Sequence, residues 1–147
     1  WGYSRSEIYA STAWFLDTFV RHRAWGGNFL INCAPRPDGR MPDTYYRRMR
    51  ELTTWMGRHG QTLLGAAGGP FPEQCDTPVT LGTRGEWYLH LTTRKSCTVT
   101  GQGTPRRACL HGTDKPVHWA AVPGGVVFVL REEDITELDD VIAVEWD

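Results

Sequence analysis

The sequence predicts an α/β segment, read as helix–strand–helix, followed by an all-β sandwich. Three observations carry that expectation. Two stretches of helical periodicity enclose a short run that is apolar on both faces. A Gly/Pro-rich stretch at 65–78 then marks a change of composition. Beyond it, short segments of strand type alternate with turn signals.

Residues 1–10 are turn-like and aromatic. Ser11 offers a helix N-cap, and 11–23 reads as a helix whose buried face carries Phe15, Leu16, Phe19 and Val20. Gly26-Gly27 ends it by permitting a tight turn. The run 28–34 is then apolar on both sides, which suits a parallel strand covered on both faces. Pro37-Asp38-Gly39 is a turn triplet. Asp43 is expected to cap a second helix to about Arg58, burying Tyr46, Met49, Leu52, Thr53 and Met56. Arg47, Arg48 and Arg50 fall on its solvated side, and His59-Gly60 gives a C-terminal stop signal. Helix, buried strand and helix in succession is the grammar of a parallel α/β fold. One strand makes no sheet, so the unit is expected to pack on something else.

After the Gly/Pro stretch, strands are expected at 77–81, 86–91, 97–100, 107–110, 117–121, 126–130 and 141–146. In 86–91 the residues Trp87, Leu89 and Leu91 share one face, taken as the core face, with Tyr88 and His90 pointing outward. Glu132-Glu133-Asp134 and Asp139-Asp140 read as solvated charge runs.

Composition excludes several functions. With 16 basic and 17 acidic residues in 147, the chain lacks the basic excess of a nucleic-acid binder. No apolar run approaches the roughly 20 residues of a membrane span. The chain opens on Trp1-Gly2-Tyr3, without an initiator Met or a signal-like segment, and is expected to be a processed or truncated product. Its four cysteines, Cys33, Cys75, Cys97 and Cys109, show no metal-ligand or redox spacing. Cys33 is expected to be buried in the apolar strand, and a disulfide between Cys97 and Cys109 is one possible pairing. The five histidines are scattered, with neither metal-ligand spacing nor a nucleophile partner. Seven Trp and five Tyr supply core packing or, alternatively, platforms for sugar rings; Trp87, Tyr88 and Trp119 are the candidates for stacking.

The most specific segment is Gly26-Gly27-Asn28-Phe29-Leu30-Ile31-Asn32-Cys33-Ala34-Pro35-Arg36-Pro37-Asp38-Gly39. It resembles a motif of the α-L-fucosidases, Gly-Gly-Asn, three apolar residues, Asn, then Pro-x-x-Asp-Gly. Trp1-Gly2-Tyr3-Ser4 resembles that family's aromatic cluster before the preceding helix. Trp55, His59-Gly60-Gln61 and Leu64-Gly65-Ala66 resemble its final helix and the junction beyond. Ala34 stands where the family usually has Gly, and Gln61 where it usually has Glu. The resemblance is strong over 1–66 and rests only on class and order thereafter.

The resemblance implies that 1–66 is the C-terminal portion of a (β/α)8 catalytic barrel, its last helix-strand-helix, and that 67–147 is a C-terminal β-sandwich domain. It implies hydrolysis of terminal α-L-fucosyl linkages with retention, without cofactor or metal, on a fucosylated glycan. Retention takes a nucleophile and an acid/base about 5 Å apart. The family's nucleophilic Asp and its substrate-binding histidines lie upstream of the aromatic cluster. This chain is therefore expected to be inactive alone and to need the N-terminal part of the barrel as its partner. Glu7 is the one carboxylate in 1–16 and the acid/base candidate; a solvent-exposed Glu before a helix is the plainer reading. Trp1 and Asn32 are candidates for contact with substrate, Asn32 lying near the strand end that opens on a barrel's active site. Its amide either holds a sugar hydroxyl or fixes a loop. The family is often secreted, periplasmic or lysosomal, and nothing in these residues chooses among them. The competing readings are a non-catalytic carbohydrate-binding module and a purely structural buttress.

Overall fold

The computed structural model describes residues 2–6 and 8–147. Helix α1 spans Thr12–Ala24. Ser11 caps it as expected, its Oγ accepting from the Trp14 N–H at 3.1 Å. Gly26 takes φ +73, and the N–H groups of Gly26 and Gly27 return to Arg23 and His22 carbonyls at 2.9 and 2.7 Å. This satisfies the last carbonyls of the helix. Helix α2 spans Asp43–His59. Pro42, not Asp43, occupies the N-cap, and Asp43 lies in the first turn. There its charge still favours the helix dipole. Gly60 stays in helical conformation and leads into a 3-10 turn, Gly60–Thr62, so it is not a left-handed stop.

The run 28–34 forms no ladder among the described residues. A strand is defined by hydrogen bonds to a neighbour, and here no neighbour lies beside it. Phe29 is gathered in, its ring 5.3 Å from that of Phe15 on α1, and Ala34 is half-buried. Leu30 is 79% exposed, and Ile31 and Cys33 are exposed too. The expectation of a buried Cys33 is thereby corrected. The turn at 37–39 forms, with Gly39 at φ +81 and Asp38 Oδ1 accepting from the Arg40 N–H at 3.0 Å.

The remainder is nine antiparallel strands among the described residues: β1 (Ala67–Gly68), β2 (Val79–Leu81), β3 (Trp87–Thr92), β4 (Ser96–Thr100), β5 (Pro105–Leu110), β6 (Lys115–Pro116), β7 (His118–Val122), β8 (Gly125–Val129) and β9 (Asp139–Trp146). All seven expected strands are present, and the two-residue β1 and β6 are additions. They form a six-stranded sheet, β1-β2-β3-β9-β5-β6, and a three-stranded sheet, β4-β8-β7. Val79, Leu89 and Val144 of the first sheet pack with Val99, Val126 and Phe128 of the second in one core. Two sheets facing across shared apolar side chains are a β-sandwich.

The other face of the six-stranded sheet is also covered. Leu16 and Val20 of α1, Trp55 of α2 and Leu63 pack against Tyr88 and Val141. Strand β3 is therefore buried on both sides. Trp87, Leu89 and Leu91 do face the sandwich core, but Tyr88 and His90 lie beneath the helices rather than in solvent. Trp55 is the buried anchor of α2, whereas the expected core residues Tyr46 and Thr53 are exposed. Arg23 joins α1 to the junction, reaching the carbonyls of Leu63, Gly27 and Ala66 at 3.4, 3.1 and 2.8 Å. Among the described residues no helix is long and apolar enough to cross a membrane.

Candidate functional site

Three segments converge on one cleft of about 260 Å³. They are the approach to α1, the extended residues 31–33, and the first half of α2. Tyr9, Trp14, Phe15, Asn32, Tyr45 and Arg48 are among its lining residues. Aromatic faces with a few amide and guanidinium donors are the chemistry of a polyhydroxylated ligand's wall: rings take the apolar face, amides the hydroxyls.

A latch holds the two helices beside this cleft. The Thr12 hydroxyl donates to the Glu51 carboxylate, and Arg48 Nη1 donates to the same oxygen, Oε2, at 3.2 Å. The Thr12 bond above all, with Arg48 assisting, holds the Glu51 carboxyl below its ordinary range. A carboxylate already engaged as an acceptor is suited to positioning rather than to giving a proton.

Of the residues singled out from sequence, Asn32 is exposed on the wall of this cleft, at the end of the run that opened to solvent. Trp1 and Glu7 lie outside the described residues. Periodicity could have flagged Trp14 and Tyr45, since each falls off the buried stripe of its helix; Arg48 was read simply as solvated.

Two polar groups elsewhere escaped the sequence reading. Asp139 is 1% exposed and Asp140 5%, correcting the expectation of a solvated run. Asp139 Oδ2 lies 2.7 Å from His90 Nδ1, and its Oδ1 accepts from Thr92 at 3.1 Å. Its backbone carbonyl accepts from Trp55 Nε1 at 2.7 Å. Thr80 Oγ1 lies 3.1 Å from His90 Nε2 and donates to the Thr62 carbonyl at 2.5 Å. Asp140 receives the Thr136 N–H and hydroxyl at 2.8 and 2.9 Å. Burial pushes its carboxyl upward, against those two bonds.

The second group joins the end of α2 to the loop after β5. His59 Nδ1 and His111 Nδ1 are 2.9 Å apart, and Gln61 Nε2 lies 2.8 Å from His111 Nε2. Burial, reinforced by the neighbouring His111, lowers His59 to about 4. Burial lowers His111 as well. Among the described residues no three His, Cys, Asp or Glu side chains are grouped so as to hold a metal ion. Trp87 and Tyr88 are buried, which removes them as open platforms for a sugar ring.

Residues 1–61 match the family model for alpha-L-fucosidase. A curated relative, the plasma alpha-L-fucosidase of Rattus norvegicus, is 33% identical over 66 residues, which cover 43% of this chain and 14% of that protein. A fucosidase from Bacteroides thetaiotaomicron, solved as a trapped covalent intermediate, superposes over 99% of this chain and 35% of its own with a TM-score of 0.82 at 21% identity. An isoenzyme from Paenibacillus thiaminolyticus covers 100% of this chain and 37% of its own, TM-score 0.82, at 18% identity. The Thermotoga maritima enzyme covers 98% and 36%, TM-score 0.77, at 18%. The chain thus spans about a seventh of the curated relative (14%) and about a third of the matched structures (35%).

Proposed function

We propose that this chain, whose residues 1–61 belong to the α-L-fucosidase family, is the C-terminal part of a retaining glycosidase that removes terminal α-linked L-fucose from glycans. Residues 1–66 are the last helix-strand-helix of its catalytic barrel and 67–147 its C-terminal sandwich. One coincidence carries the reading. The segment with the family's motif is also the segment whose apolar residues, Leu30 and Ile31, stand in solvent without a ladder. A run apolar on both faces is what a barrel strand presents when its neighbours are elsewhere.

In that setting Asn32 faces the barrel mouth, where its amide holds a sugar hydroxyl. Glu7 is the acid/base candidate and Trp1 the aromatic wall. The nucleophilic carboxylate comes from the upstream barrel. It attacks the anomeric carbon as the acid protonates the departing oxygen; water then reverses the roles. The covalent intermediate trapped in the Bacteroides relative supports a two-step course. The N-terminal part of the barrel is therefore this chain's obligatory partner, and a fucosylated glycan its substrate.

Hydrolysis of an aryl α-L-fucoside is measured with the chain alone and with the upstream barrel supplied. The expected result is no turnover alone and recovery on complementation, with Glu7→Gln then lowering kcat in the complemented enzyme. Turnover by the chain alone refutes the account of an upstream nucleophile.

A further inference from the structure

Four cysteines are free, and three of them are buried. Cys97 and Cys109 were one pairing suggested by sequence, but they lie on different sheets. Cys97 pairs in register with Phe128 of β8, and Cys109 with Ala143 of β9 and Pro116 of β6. The structure brings Cys97 instead to Cys75.

Cys75 lies on a short segment along the free edge of β4, in an antiparallel bridge to Val99. The Thr100 N–H donates to the Gln74 carbonyl at 2.7 Å and the Asp76 N–H to the Thr98 carbonyl at 3.2 Å. These bonds flank the 75/99 pair, which is thus of the close kind, with side chains on one face near each other. Cys97 is two residues from Val99 along the same strand and so shares that face. Both side chains enter the sandwich core, with Cys97 the diagonal neighbour of Cys75 on that face, and the interaction between the two thiols is the largest influence on the acidity of each.

We propose that Cys75 and Cys97 form a disulfide that closes β2 and β3 within one covalent loop and staples the segment following Phe71 to the edge of the three-stranded sheet. The oxidant is a small-molecule disulfide. The Cys75 thiolate attacks one of its sulfurs and expels one thiolate, giving a mixed disulfide. Cys97, once deprotonated, attacks Cys75 Sγ and releases the second thiol. Two protons and two electrons leave the protein, and the oxidant becomes two thiols. The order of attack follows from the site. The interaction with Cys97 lowers the Cys75 thiol below its ordinary value, Arg94 adding to this, whereas the same interaction and burial raise Cys97. An edge segment paired on one side only opens to an oxidant more readily than a central strand.

The test equilibrates the chain with oxidised glutathione, once folded and once during refolding from urea. Alkylation under denaturing conditions and peptide mass mapping follow. The expected result in either arm is a Cys75–Cys97 linked peptide, two hydrogens lighter, with Cys33 and Cys109 alkylated. Oxidised protein should melt about 5–10 °C above reduced protein, as closure of a roughly 20-residue loop implies. Alkylation of Cys75 and Cys97 in both arms overturns the proposal, as does a Cys97–Cys109 link.

Discussion

Replacing Asp139 by Ala tests whether the buried network beneath the helices holds the layers together. The carboxylate takes hydrogen bonds from Thr92 and sits on His90 Nδ1, and His90 is 0% exposed. Its removal leaves a buried imidazole nitrogen without its acceptor. Two hydrogen bonds to a carboxylate, at about 1.5–3 kcal/mol each, set a loss of about 3–5 kcal/mol. Trp55 Nε1 keeps its bond, because it goes to the backbone carbonyl. With a urea m-value of about 2 kcal/mol/M, the unfolding midpoint should fall by about 2 M. Asp139→Asn keeps the shape and one acceptor oxygen, so it should lose roughly half as much. Had Asp139 been solvated, as the run Asp139-Asp140 suggested from sequence, the change would stay within about 0.5 kcal/mol. A midpoint shift below about 0.3 M for Asp139→Ala refutes the reasoning that this pair is structural.

Two other outcomes follow from particular contacts. His59 is lowered to about 4 in the folded chain from an ordinary value of 6.5, so the unfolded state binds its proton first. Stability should therefore be unaffected above about pH 6.5. It should fall as pH drops from there toward 4, with a slope below the ~1.4 kcal/mol per pH unit of a fully buried proton site, since the ring is partly solvated. Urea titrations at several pH values should show His59→Asn flattening that slope; an unchanged slope assigns it to other groups. At Gly125 a Cβ would lie 2.2 Å from the Val99 carbonyl oxygen, a backbone atom in the paired strand β4. Gly125→Ala should cost about 1–3 kcal/mol and lower Tm by about 5 °C, read by thermal unfolding; an unchanged Tm means the hairpin can shift without loss.

Local chemistry determined much of this protein from sequence. Ser11 capped α1 because a hydroxyl beside an amphipathic stripe satisfies free N–H groups, and Gly26 ended it because only glycine takes a positive φ there without cost. Alternation and turn residues placed seven strands, since a sheet with a packed face writes its period into the chain. The motif at 26–39 likewise carried the resemblance to the α-L-fucosidases, through residues adjacent in sequence that lie within the stretch matched by that family's model. What the tertiary structure alone decided was which surfaces meet. Alternation could place Tyr88 and His90 opposite the core but not show that helices cover that side. Asp139-Asp140 looked like any acidic pair until β9 brought it to His90, Thr92 and Thr136. Sequence offered Cys109 as a partner for Cys97, and only the tertiary arrangement put Cys109 on the other sheet and Cys75 along the edge of β4. The two-residue β1 and β6 were too short to write any period at all. The run 28–34 shows the same division from the other side. Its composition is that of a buried strand, but a ladder belongs to two strands, and no residue within one of them can state that the other is present.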